Sequence, residues 1–177
     1  MSAPALIIRD EVEAQLTTDE RQWLERVLAR LYAVLGCPEA SEATIVLTDD
    51  DEIRELNREW RGVDDATDVL SFAYQEAIDG ALVPELLGDV VISLPTARRY
   101  AADAKHALWI GEASEAPIAW TFILELTFLV SHGFLHLLGF DHEEPEEERV
   151  MRAAEREVFR ALIQDDDPPR RATPYAP

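Results

Sequence analysis

Residues Ser131 to His142 read SHGFLHLLGFDH and carry three of the chain's four histidines at the spacing H-x3-H-x5-H. His132 and His136 are four residues apart, so on a helix their rings stand one above the other on a single face and both reach one ion. Gly139 supplies a left-handed residue that ends the helix and turns the chain back, bringing His142 to the same ion from outside it. Three neutral imidazoles without a thiolate suit Zn2+ or another divalent transition metal, and leave a fourth position for water or substrate. Structural zinc sites are normally closed by four ligands and rich in cysteine, whereas the single cysteine here, Cys37, lies far off in sequence. The expected site is therefore open and catalytic. It stands on a central helix and the turn that follows.

The same histidine spacing occurs in zinc proteases written H-E-x-x-H-x-x-G-x-x-H, where the glutamate after the first ligand is the general base. That position is Gly133 here. Glycine takes no proton from a bound water, so the metal scaffold is present without the protease base.

Working outward, the ligand-bearing helix is expected to start at Pro117, which a first helical turn tolerates, and to run to His136–Leu138. Beyond His142, Val150, Met151, Ala154, Val158 and Leu162 recur at three and four residues and mark a last amphipathic helix. Towards the N-terminus, Ala5 to Arg9 reads as a strand and Asp19 to Leu35 as a helix with Leu24, Leu28, Leu31 and Leu35 on one stripe. Ala43 to Leu47 is a β-branched run. Thr48 to Asp50 offers capping oxygens to a helix carrying Ile53, Leu56 and Trp60. Val69 to Tyr74 and Leu87 to Ile92 are further strands, joined by a polar loop with Gly80 and Pro84 that is expected beside the site. A helix from Pro95 to about Leu108 follows. The fold class is α+β, with about four strands in a mixed sheet packed with about five helices. One domain is expected over residues 1–163, and residues 164–177, rich in proline and charge, form an expected disordered tail.

The 177 residues, 47% hydrophobic, suffice for one substantial core but not for two typical domains. One cysteine makes no intramolecular disulfide, and Met1 to Asp10 lacks the basic start and apolar run of a secretory signal, so the expected compartment is the cytoplasm. The apolar segment Ile118 to Val130, interrupted by Glu125, is too short to cross a bilayer. A net charge of −20 argues against nonspecific attraction to nucleic acid, which lysine and arginine drive; an RNA partner needs a local basic patch. Lys105 is the one lysine, against fifteen arginines. The acidic runs Glu143 to Glu148 and Asp165 to Asp167 read as solvated surface.

Leu56 to Phe72 (LNREWRGVDDATDVLSF), Leu87 to Ser93 (LGDVVIS) and His132 to His142, taken together in order and spacing, resemble the YbeY family of bacterial metal-dependent endoribonucleases. The likeness extends from the N-terminal strand to about Ile163. The resemblance implies an α+β domain with one zinc-like ion on His132, His136 and His142, and a functional arginine that falls on Arg61. It implies a single-strand-specific ribonuclease acting in ribosomal RNA processing, at the 3′ end of the small-subunit RNA, and in ribosome maturation and quality control. Ribosomal RNA and ribosomal subunit proteins or assembly factors are then the expected partners, with no membrane and no DNA. Two positions depart from the family pattern: Phe128 stands where a histidine is often found, and Phe140 where a tyrosine is.

Such residues support phosphodiester hydrolysis, with the ion activating water or polarising a phosphoryl oxygen and Arg61 pairing with phosphate charge. Arg61 alternatively neutralises its helix C-terminus or pairs with Asp64 and Asp65. Arg54 and Arg58 either extend a basic strip towards Arg61 or form a solvated face. Asp141 either orients an imidazole or takes a proton, or else caps the turn into the following segment. Thr67 and Asp68 are read as stabilising a turn, and Asp89 as holding a nearby loop. Two competing functions remain at this point: a zinc-dependent hydrolase of peptides or small molecules, and a noncatalytic metal-stabilised ribosome assembly factor.

Overall fold

The two central strands carry the β-branched runs, because only strands buried on both faces hold so continuous an apolar sequence. The computed structural model describes residues 3–74, 85–110 and 119–164. Strands β1 (Ala5–Ile8), β2 (Glu42–Thr48), β3 (Val69–Ala73) and β4 (Leu86–Ser93) form one sheet in the order β1-β2-β4-β3. β1, β2 and β4 run parallel, and β3 pairs antiparallel with β4 along one edge. The mixed α+β architecture is as the sequence indicates.

Side chains alternate across the sheet. Ile45, Leu47, Val90 and Ile92 enter the main core, while Val46, Leu70 and Val91 face the other way and pack with Ile53 of helix α3 (Asp50–Arg61). Asp49 caps α3, its Oδ1 accepting from the Glu52 amide at 2.9 Å, as the capping oxygens before Ile53 indicate.

Seven helices lie among the described residues. Five are the expected ones: α2 (Thr18–Leu35), α3, α4 (Leu94–Ala102), α6 (Phe122–Leu137) and α7 (Pro145–Ile163). The others, α1 (Asp10–Glu13) and α5 (Ala107–Ile110), are single turns too short to show an apolar period. The helix expected from Pro95 to Leu108 is in fact interrupted. Asp103 caps α4, Ala104 takes the positive φ of 48° usual for glycine, and the Lys105 amide returns to the Tyr100 carbonyl at 3.0 Å.

Helix α6 begins later than the proline suggests. Thr121 caps it, Oγ1 accepting from the Leu124 amide at 3.3 Å, whereas Pro117 lies outside the described residues. The helix is buried on nearly every side between the sheet, α2, α4 and α7. Its end is a Schellman turn: Gly139 has φ 88°, its amide donates to the His136 carbonyl, and the Phe140 amide donates to the Leu135 carbonyl, both at 3.0 Å. The loop with Gly80 and Pro84, and the tail from residue 165, also lie outside the described residues. No described helix is long and apolar enough to cross a membrane.

Candidate metal centre

Two successive helical turns and the reversal at Gly139 gather the three histidines. The candidate donor atoms of His132, His136 and His142 all lie within 4.8 Å of one another. His132 and His136 are partly buried on α6, and His142 is exposed on the turn beyond it. Burial, with His132 and His142 beside it, pushes His136 down to about 4, so its ring is neutral near pH 7, as a metal ligand must be.

Glu155, not singled out in the sequence, orients the first ring. It projects from α7, is 2% exposed, and its Oε1 lies 2.7 Å from His132 Nδ1. The carboxylate thus fixes the His132 ring with Nε2 free for an ion. The other oxygen, Oε2, is buried without a hydrogen-bond partner among the described residues. The signal in the sequence was an acid on the apolar stripe of α7, between Met151 and Val158. The donor chemistry fits a borderline divalent ion: three imidazoles, one held by a buried carboxylate, and no thiol nearby.

The cluster lies in a cleft of about 720 Å³ whose walls include Arg61, Asp68, Ser71, Lys105, His106 and Arg152. Arg61, the last residue of α3, is exposed and makes no ion pair with a described residue. The basic strip does not extend to it. Arg54 is clamped by Asp64 at 2.9 and 3.2 Å, and Arg58 approaches the same carboxylate at 4.0 Å. Asp141 accepts from the His142 amide at 2.7 Å, the turn-capping alternative. Asp68 Oδ1 accepts from the Thr67 hydroxyl and the Val69 amide, both at 3.0 Å, stabilising the entry to β3 as expected. Tyr74 donates to Asp89 at 2.5 Å.

Gly133 faces the sheet. A Cβ built there would stand 2.4 Å from Val90 Cγ1 and 3.2 Å from Ser71 Oγ, and Ser71 donates to the Gly133 carbonyl at 3.1 Å. The helix and sheet therefore approach so closely that any side chain at the position where the proteases carry their base would press against Val90.

Phe128 is 1% exposed and lies one turn before His132, their ring centroids 5.6 Å apart. It stacks on His106 at 4.7 Å, and the His106 ring meets the buried Glu125. Sequence reasoning passed over both residues: Glu125 registered only as a break in an apolar run.

A sequence profile of the family described as Endoribonuclease YbeY matches residues 7–163. The endoribonuclease YbeY of Geobacillus thermodenitrificans is 42% identical over 151 residues, spanning 82% of this chain and 88% of that protein. That of Listeria monocytogenes serotype 4a is 36% identical over 171 residues, spanning 91% and 97%. A solution structure from Thermotoga maritima aligns over 95% of this chain and 99% of its own with a TM-score of 0.46 and 24% identity.

Proposed function

The chain belongs to the endoribonuclease YbeY family, and from that premise we propose that it hydrolyses single-stranded ribosomal RNA using one zinc ion held by His132, His136 and His142. RNA is the substrate that an endoribonuclease implies. The observation that carries the reading is the meeting of three imidazole donors, within 4.8 Å of one another, in a cleft that Arg61 also lines. A divalent ion held by these three histidines would supply a water of lowered pKa and would polarise a phosphoryl oxygen.

The chain's own groups do the rest. Glu155 holds His132 in the tautomer that leaves Nε2 free. Burial keeps His136 neutral. Arg61, unpaired with any described residue, offers its guanidinium to the phosphate, where charge accumulates as the phosphorus becomes five-coordinate. Gly133 disfavours the peptide-hydrolase reading, since any base at that position would press against Val90.

Ribosomal RNA, ribosomal subunit proteins and assembly factors are the proposed partners, and the cytoplasm the proposed compartment. With a net charge of −20, the protein has little general attraction for RNA. Delivery by a basic ribosomal protein would supply what the surface lacks.

The test is cleavage of a labelled single-stranded ribosomal RNA fragment by zinc-loaded protein, beside His136→Ala and Arg61→Ala. His136→Ala should lose both metal and cleavage. Arg61→Ala should keep the metal and lose about 100-fold in turnover, the scale of one transition-state donor. Equal cleavage by the parent and His136→Ala would refute the metal-dependent reading, and no cleavage by the parent would favour the noncatalytic assembly factor.

A further inference from the structure

His106 is the one histidine outside the metal cluster, and it lines the same cleft. The turn at Ala104 places it there, between α4 and α5. The φ of 48° at Ala104 is costly for a residue with a Cβ, by about 1–2 kcal/mol, and positions like this persist where the surroundings enforce them.

The ring is 3% exposed and is held at Nδ1, on one face and along an edge. Its Nδ1 lies 2.5 Å from Glu125 Oε1, and Glu125 Oε2 accepts from Trp120 Nε1 at 2.6 Å. One ring face stacks on Phe128, while Trp109 meets it edge-on with centroids 4.8 Å apart. The other nitrogen, Nε2, makes no hydrogen bond to a described residue. Across from it stands Asp68 Oδ2 at 3.8 Å, too far to capture its proton.

If His106 only filled the core, the arrangement would be expensive. Glu125 is 0% exposed, and a fully buried carboxylate is costly to keep even when paired. A carboxylate behind an imidazole whose second nitrogen is uncommitted is instead the arrangement that orients a ring for proton transfer. Two cations lie against the aromatic neighbours of His106, Lys105 Nζ 3.4 Å from the Tyr100 ring centre and the Arg152 guanidinium 4.5 Å from that of Trp109, and the cleft also carries the acids Asp141, Glu143, Glu148 and Glu155.

We propose that His106 is the general acid of the cleavage reaction, giving its Nε2 proton to the leaving oxygen of the RNA, with Glu125 fixing the ring. This inference rests on the endoribonuclease reading. As the water oxygen bonds to phosphorus, the bond from phosphorus to the leaving bridging oxygen breaks, and its electron pair stays on that oxygen. The oxygen takes the proton from Nε2 and departs as a hydroxyl. The attacking water releases one proton to solvent, and the ring recovers one from solvent, so each turnover consumes one water and no other reactant.

The deciding experiment compares the zinc-loaded parent and His106→Gln on two RNAs, one ordinary and one with sulfur in place of the leaving oxygen. A thiolate leaves without being protonated. On ordinary RNA, His106→Gln should lose about 100-fold or more in kcat, the range of general acid catalysis, with KM and zinc stoichiometry unchanged. On the sulfur substrate it should match the parent. Equal loss on both substrates, or no loss on either, overturns the assignment while leaving the ribonuclease reading intact. Failure of the parent to cleave ordinary RNA overturns that reading and this one with it. Should His106→Gln not fold, the parent's pH–rate profiles decide: the alkaline fall should be present with oxygen and absent with sulfur, and identical profiles overturn the assignment.

Discussion

Replacing Glu155 with glutamine keeps the side chain's volume and an oxygen acceptor for His132 Nδ1, but removes its negative charge. The present bond is 2.7 Å long and the carboxylate is 2% exposed, so water screens their interaction little. Groups that orient a metal-ligating histidine in this way contribute roughly 10- to 100-fold to metal affinity, or about 1.4–2.7 kcal/mol. Glu155→Gln is therefore expected to bind zinc more weakly by that factor. Glu155→Ala, which leaves Nδ1 without its partner, should lose at least as much. The assay is competition against a chromophoric chelator at pH 7, with circular dichroism of the metal-free proteins to establish that both variants fold. An unchanged zinc dissociation constant in a folded Glu155→Gln would refute the argument that α7 tunes the centre through His132.

Three further outcomes follow from particular contacts. Gly133→Ala forces a methyl against Val90; overpacking costs about 1–3 kcal/mol and helix propensity returns about 1 kcal/mol. Urea denaturation should show net destabilisation, smaller in a Val90→Ala background, and strict additivity of the two substitutions would refute the contact. Ala104→Gly relieves the positive φ but gives back part of the gain as unfolded-chain entropy, for a net stabilisation of about 0.5 kcal/mol. For a chain of this size that is roughly a 1–2 °C rise in Tm, and a fall in Tm would contradict it. In metal-free protein, unfolded His136 binds its proton near pH 6.5 and the folded residue near 4. Between those values the unfolded chain holds more protons, so stability should drop as pH falls from 6.5 towards 4. Urea midpoints should show a shallower drop for His136→Gln, and equal slopes would exclude the effect.

The sequence by itself determined the local features: the strands, the five long helices, the cap at Asp49 and the reversal at Gly139. It also held the H-x3-H-x5-H spacing that puts three imidazoles within reach of one another. These depend on side-chain alternation, on i,i+4 geometry and on the conformational freedom of one glycine, all of which act over a few neighbouring residues. The start of α6 was misread because proline marks where a helix is permitted to begin, whereas the Thr121 hydroxyl actually satisfies the first free amides. The break in the helix after Ala102 escaped notice because alanine seldom adopts the positive φ that Ala104 shows.

Only the tertiary structure decided what surrounds the histidines. Glu155 meets His132 across 23 positions, His106 meets Glu125 across 19, and Ser71 reaches Gly133 across 62. An acid on an apolar stripe reads as an irregularity until packing shows the imidazole it faces. The crossing of α6 over β4, which brings Val90 against Gly133, likewise depends on the sheet order β1-β2-β4-β3. That order is set by which apolar faces bury one another best, a property of the assembled core that no short stretch of chain contains.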